Sequence, residues 1–152
     1  MSAKELLTTR RFAPLFVTQF LGAFNDNVLK AALIVFITCH AVHAGSETAE
    51  SAILVNISTG LFVLPFFLFS ATAGQLADKY EKSAYIRRVK LAEIAIMILA
   101  AIGFIIETTY GLIGLLFLMG TQSAFCGPVK YAILPQHLRE EELVGGNGLI
   151  EM

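Results

Sequence analysis

Phe12-Ala-Pro-Leu-Phe-Val-Thr-Gln19-Phe-Leu-Gly22-Ala-Phe-Asn-Asp26-Asn27-Val-Leu-Lys30-Ala-Ala-Leu-Ile-Val-Phe-Ile-Thr-Cys39 is 28 residues of almost unbroken apolar sequence with two opposite charges inside it. As one helix it would be roughly 42 Å long, enough to cross a bilayer with tilt. Asp26 and Lys30 lie one helical turn apart, and each would cost about 2.5–3.5 kcal/mol in hydrocarbon. A spanning helix that keeps both needs a polar interior to put them in.

Composition agrees with a membrane setting. Of 152 residues, 56% are hydrophobic and only 15% charged, with mean hydropathy +0.70. A soluble domain would carry about 25% charged residues. Net charge is −1, and nothing in it suggests a nucleic-acid partner. Cys39 and Cys126 stand apart without metal-ligand spacing and read as small buried hydrophobes. The first apolar run is too long for the core of a cleavable signal peptide.

The remaining apolar runs give the organisation. Spans are expected over 12–39, 53–77, 89–106 and 111–134, with a fifth opening at about 143 and cut short. The fold class is an all-α membrane protein. Pro65 is expected to kink its helix, and Pro128, after Gly127, to kink or break its own. A tight turn is expected near Glu107–Thr109. Nine of the eleven Lys and Arg residues fall on one side of this arrangement: Lys4, Arg10 and Arg11, then Lys79, Lys82, Arg87, Arg88 and Lys90 in the 78–90 connector, then Arg139. The opposite loops carry only Glu47, Glu50 and Glu107. Excess positive charge marks the cytoplasmic side, so the N-terminus is expected there.

Gly74-Gln-Leu-Ala-Asp78-Lys79-Tyr-Glu-Lys82, followed by Arg87-Arg88, resembles the signature loop between the second and third spans of the major facilitator superfamily. The match departs at Glu81, where that family usually has glycine. The resemblance implies that Gly74, Asp78, Lys79 and Lys82 form a conformational latch, with Asp78 engaging a second helical half absent from this chain. Gly74 with Ser70 would also make a small-residue face for close helix approach. Gly22-Ala-Phe-Asn-Asp26-Asn27-Val-Leu-Lys30 and Gln122-Ser-Ala-Phe-Cys-Gly-Pro-Val-Lys130-Tyr-Ala-Ile-Leu-Pro135 are similar to the first and fourth spans of bacterial lysophospholipid transporters. That implies a multi-pass protein of the bacterial inner membrane, here the N-terminal part of one. Its cargo would be a lysophospholipid such as lysophosphatidylethanolamine, moved by alternating access for re-acylation. Some members of that family are fused to an acyltransferase and an acyl–acyl-carrier-protein synthetase.

At a 3.6-residue period, Gln19, Gly22, Asp26 and Lys30 share one face of the first helix. In a substrate site Asp26 would attract an ammonium, Lys30 or Lys130 would hold a phosphate, and Asn27 or Gln122 would add hydrogen bonds. Two plainer readings stand beside it: an internal Asp26–Lys30 ion pair, and Lys130 as a snorkelling interfacial anchor. Glu93 is expected to pair with a connector lysine or arginine. Gln19, Asn56 and Thr59 are candidates for hydrogen bonds between helices.

Other activities find less support. The residues five after His40, His43 and His137 are Gly45, Thr48 and Glu142, so the His-x4-Asp pair of an acyltransferase is missing and no enzyme is expected in this chain. His40 and His43 lack partners at metal-like spacing; no metal or cofactor is expected. A facilitator for another cargo (drug, sugar or organic anion) and a non-transporting fragment of a fused protein remain as alternatives.

Overall fold

The computed structural model describes residues 9–151 except 11, 44, 46, 47 and 139. Lys4, Arg11, Glu47 and Arg139, which the topology argument uses, lie outside the described residues. Five helices follow in order: α1 Ala13–His43, α2 Thr48–Lys79, α3 Lys82–Ile105, α4 Thr109–His137 and α5 Glu140–Glu151. Among them α1, α2 and α4 are long and apolar enough to cross a membrane. The exception among the long helices is α3, whose first half carries Arg87, Arg88, Lys90 and Glu93.

Local chemistry sets the helix ends. Thr9 O accepts from the Phe12 and Ala13 amides at the start of α1, and Pro14 sits in the first turn, where no intrahelical donor is lost. Glu81 replaces the usual turn glycine with a cap: its carboxylate accepts from Ser83 N at 3.1 Å and Ala84 N at 2.8 Å. Two orphan amides of α3 are satisfied in this way, so the helix starts at Lys82. At its other end Glu107 takes a left-handed φ of 55°, and Thr108 N reaches back to Gly103 O at 3.1 Å, a closure of the Schellman type. The turn expected near Glu107–Thr109 is therefore formed.

The helix break expected at Pro128 is not. α4 runs through Pro128 and Pro135, and α2 through Pro65. Long helices held on several sides by neighbours absorb a missing donor without ending.

α4 is the central element, packed along α2 and against α3 and α1. Leu29, Leu33 and Ile37 of α1 meet Phe62 of α2, Ile96 of α3, and Leu112 and Leu116 of α4 in the main apolar cluster. A second cluster joins Phe12 to Leu134 and Leu138, which carries α5 at one end of the bundle. The exterior is apolar too: Phe67 and Ile105 are each 80% exposed. Meanwhile Ser58, Glu93 and Gln122 are buried. Polar groups inside and large hydrophobes outside is the distribution a lipid solvent imposes.

Close backbone approach occurs at a different glycine from the one the loop signature suggests. A Cβ on Gly74 would meet no described atom within 4 Å, and Ser70 is exposed. A Cβ on Gly120 would run into the backbone carbonyl of Phe62, because α2 and α4 touch there. Cys39 is likewise exposed on the outer surface rather than buried, whereas Cys126 is buried. Gly120→Ala should cost roughly 1–3 kcal/mol through overpacking against rigid backbone, seen as a lower melting temperature in detergent micelles. Gly74→Ala should leave that temperature unchanged.

Candidate functional site

The polar stripe of α1 faces inward. Gln19, Gly22 and Asp26 line a cavity of about 230 Å³ with Glu93 and Lys90 from α3 and Gln122, Ser123 and Lys130 from α4. Its centre is the Glu93 carboxylate, on a residue only 4% exposed. Asn25 Nδ2 donates to Glu93 Oε1 at 2.8 Å, while Lys90 Nζ at 2.7 Å and Gln122 Nε2 at 3.1 Å both reach Oε2. Three helices thus converge on one buried acid. Glu93 does pair with a basic residue, as its position in the sequence suggests.

Gly22 leaves room for the Lys90 ammonium against α1. A Cβ there would collide with Lys90 Nζ and sit 3.6 and 3.7 Å from the two Glu93 oxygens. Beside this group, Ser123 Oγ lies 2.7 Å from Asp26 Oδ2 and 3.2 Å from Gln122 Oε1; its single proton serves the shorter contact. The other oxygen, Asp26 Oδ1, is buried and accepts no hydrogen bond from the described residues. Gln19 completes the wall with a weak 3.7 Å contact from Nε2 to Cys126 Sγ.

Not every residue on the stripe arrives. Asp26 and Lys30 do not pair; the described salt bridges are His40–Glu107 and Lys90–Glu93. Lys30 Nζ instead lies over the Phe62 ring, 4.5 Å from its centroid, and is not among the cavity's lining residues. Asn27 Nδ2 bonds back to Ala23 O at 2.8 Å on the outer side of α1. Lys130 lines the cavity with its ammonium 4.8 Å from the Tyr131 ring centroid. Thr59 bonds to Val55 O within its own helix, so it does not bridge helices. Asp78 and Lys79 lie exposed at the end of α2, beside Lys82 at the start of α3.

Sequence reasoning missed Lys90 as a cavity residue, by counting it with the loop charges, and it missed Asn25 and Ser123. For Lys90 a signal exists: with Glu93 it forms an i,i+3 charge pair in an apolar helix, the same pattern that drew notice in α1. Ser123 has no such mark. Among the described residues no group of three His, Cys, Asp or Glu side chains could hold a metal. What the cavity offers is hydrogen bonding plus charge of both signs.

An all-helical membrane protein with a charged cavity between its helices is the class these features define. The chain belongs to the major facilitator superfamily: the MFS family model described as "Transmembrane secretion effector" matches residues 9–149. It is 30% identical over 150 residues to the lysophospholipid transporter LplT of Photorhabdus laumondii, covering 99% of this chain and 34% of that protein. It is also 30% identical over 138 residues to LplT of Salmonella arizonae, covering 89% of this chain and 30% of the relative. The chain therefore spans about a third of the length of these relatives. No solved structure matches it.

Removing one partner of a buried ion pair leaves the other uncompensated, at a cost of about 3–5 kcal/mol. Lys90→Met should fall at the low end, because Lys90 is 20% exposed. Gly22→Ala should destabilise by displacing the same ammonium, and most of its cost should vanish in a Lys90→Met background. Unfolding free energies of the two single variants and the double variant measure that coupling.

Proposed function

We propose that this chain forms the N-terminal part of a transporter that moves lysophospholipids, such as lysophosphatidylethanolamine, across the bacterial inner membrane. The observation that carries the reading is the cavity, with carboxylates and ammonium groups held together between membrane helices. A zwitterionic headgroup needs both. Asp26, with one oxygen that accepts no hydrogen bond from the described residues, attracts the ammonium; Lys130 holds the phosphate and Gln122 supports it by hydrogen bonding. Lys30 and Asn27 join only in a state of the cycle that turns them inward. The name of the LplT relatives, lysophospholipid transporter, supports the same cargo.

In this reading α1 to α4 are four spans, α5 begins a fifth, and the N-terminus is cytoplasmic. Transport proceeds by alternating access, with this bundle rocking against a second helical half around a midplane site. Asp78, Lys79 and Lys82, with Gly74 nearby, latch that half in one state. The chain itself does no chemistry; a fused acyltransferase or acyl–acyl-carrier-protein synthetase would lie outside it. A second reading, export of another small molecule such as a drug, sugar or organic anion, is favoured by the description of the matching family as a secretion effector.

Uptake of radiolabelled lysophosphatidylethanolamine by spheroplasts expressing the natural gene product tests this. Asp26→Asn should reduce uptake by about tenfold or more, the loss expected when a charge-assisted hydrogen bond of about 1.5–3 kcal/mol goes. Unchanged uptake at equal protein level would remove Asp26 from the headgroup site. Absence of uptake by the unmutated protein would turn the assignment toward the second reading.

A further inference from the structure

We propose that Lys90 is a phosphate ligand of this cavity and that Glu93 is the positioning residue that holds it in place between substrates. The inference rests on the lysophospholipid reading above and adds a specific binding residue to it.

Three observations lead there. First, the lysine the α1 stripe offers is occupied elsewhere: Lys30 Nζ lies over the Phe62 ring. Lys90 instead reaches the cavity wall from α3. Second, α1 carries glycine at a position where a Cβ would strike the Lys90 ammonium. The ammonium fills space that a side chain of α1 would otherwise take, in line with Asp26 one turn further along. Third, an ammonium has three protons to donate, and among the described residues the Lys90 ammonium donates to Glu93 Oε2, at 2.7 Å. Donor capacity therefore remains on the group that faces the cavity.

Glu93 is built to share that lysine. It accepts from Asn25 through Oε1 and from Gln122 through Oε2 as well. When a phosphate oxygen takes one of the remaining Lys90 protons, Glu93 keeps both its ion pair and its two amide donors. A carboxylate that lost the ammonium outright would be left uncompensated and would oppose binding by about two to four factors of ten in affinity. The ammonium can bridge carboxylate and phosphate through its remaining protons, while Asn25 and Gln122 keep the carboxylate fixed. Asp26 Oδ1 lies on the same wall and takes the ammonium end of the same headgroup.

The test is binding of radiolabelled lysophosphatidylethanolamine to the natural gene product in nanodiscs, with monoacylglycerol as the phosphate-free comparison probe. Lys90→Gln should weaken lysophosphatidylethanolamine binding roughly 10- to 100-fold, the range for a lost charge-assisted hydrogen bond, and leave monoacylglycerol binding unchanged. The exchanged pair Lys90→Glu with Glu93→Lys should recover the melting temperature without recovering phosphate-dependent binding. Recovery of both would make Lys90 merely half of a structural pair and overturn the proposal. Equal weakening for both probes would overturn it as well. Should the Lys90 variants fail to fold, Glu93→Gln decides. It keeps an oxygen for the amide donors and frees Lys90, so the melting temperature should fall while lysophosphatidylethanolamine binds more tightly; weaker binding there would overturn the proposal. The unmutated protein reports separately on the parent reading, which fails if that protein does not bind lysophosphatidylethanolamine at all.

Discussion

The arrangement of this bundle depends on one buried carboxylate. In lipid, helices gain little from the hydrophobic effect when they associate, because the tails around them are as apolar as leucine. Shape and polar contacts then decide which faces meet. Glu93 supplies the polar contact: Asn25 of α1, Lys90 of its own helix and Gln122 of α4 all donate to it. An acid so enclosed is tolerable only when charge-paired and hydrogen-bonded, and the same bonds that satisfy it fix the rotation of α1 about its axis. Gln19, Gly22 and Asp26 face inward as a result, while Phe20 and Phe24 turn out. Apolar clusters at either end of the bundle add close packing to an orientation already set in the middle.

Much of this was legible in the residues. Four apolar runs at the expected places became four long helices, and the inward face of α1 followed from a 3.6-residue period. The errors share a cause: a single sequence shows what lies along a helix but not what lies across from it. Asp26 and Lys30 are spaced for an ion pair, yet Ser123 of α4 and Phe62 of α2 stand closer to where their side chains point. Gly74 belongs to a recognisable loop pattern, but the described glycines that admit a neighbour include Gly22, Gly103, Gly120 and Gly146 instead. Which glycine matters is a property of the partner helix. Lys90 was misplaced because the connector looks like a loop through residue 90. The Glu81 cap starts α3 at Lys82, seven residues before the span expected from 89, which carries Lys90 a little more than two turns into the helix and into the cavity.

The charges around the cavity bear on what could cross. Asp26 and Glu93 are formally negative, Lys90 and Lys130 formally positive, so the lining is close to neutral taken together. A cargo with a net charge would leave the loaded site unbalanced among apolar helices, at the cost any unpaired ion incurs there. It would also feel the membrane potential, worth about 2.3 kcal/mol per elementary charge per 100 mV. A zwitterion avoids both. It can exchange partners with the residues around it, ammonium to Asp26 and phosphate to a lysine, and the sum of charge at the site stays the same empty or loaded. For the lysophosphatidylethanolamine reading, this means a headgroup could be carried through the bilayer midplane without the potential opposing either the loaded or the returning step.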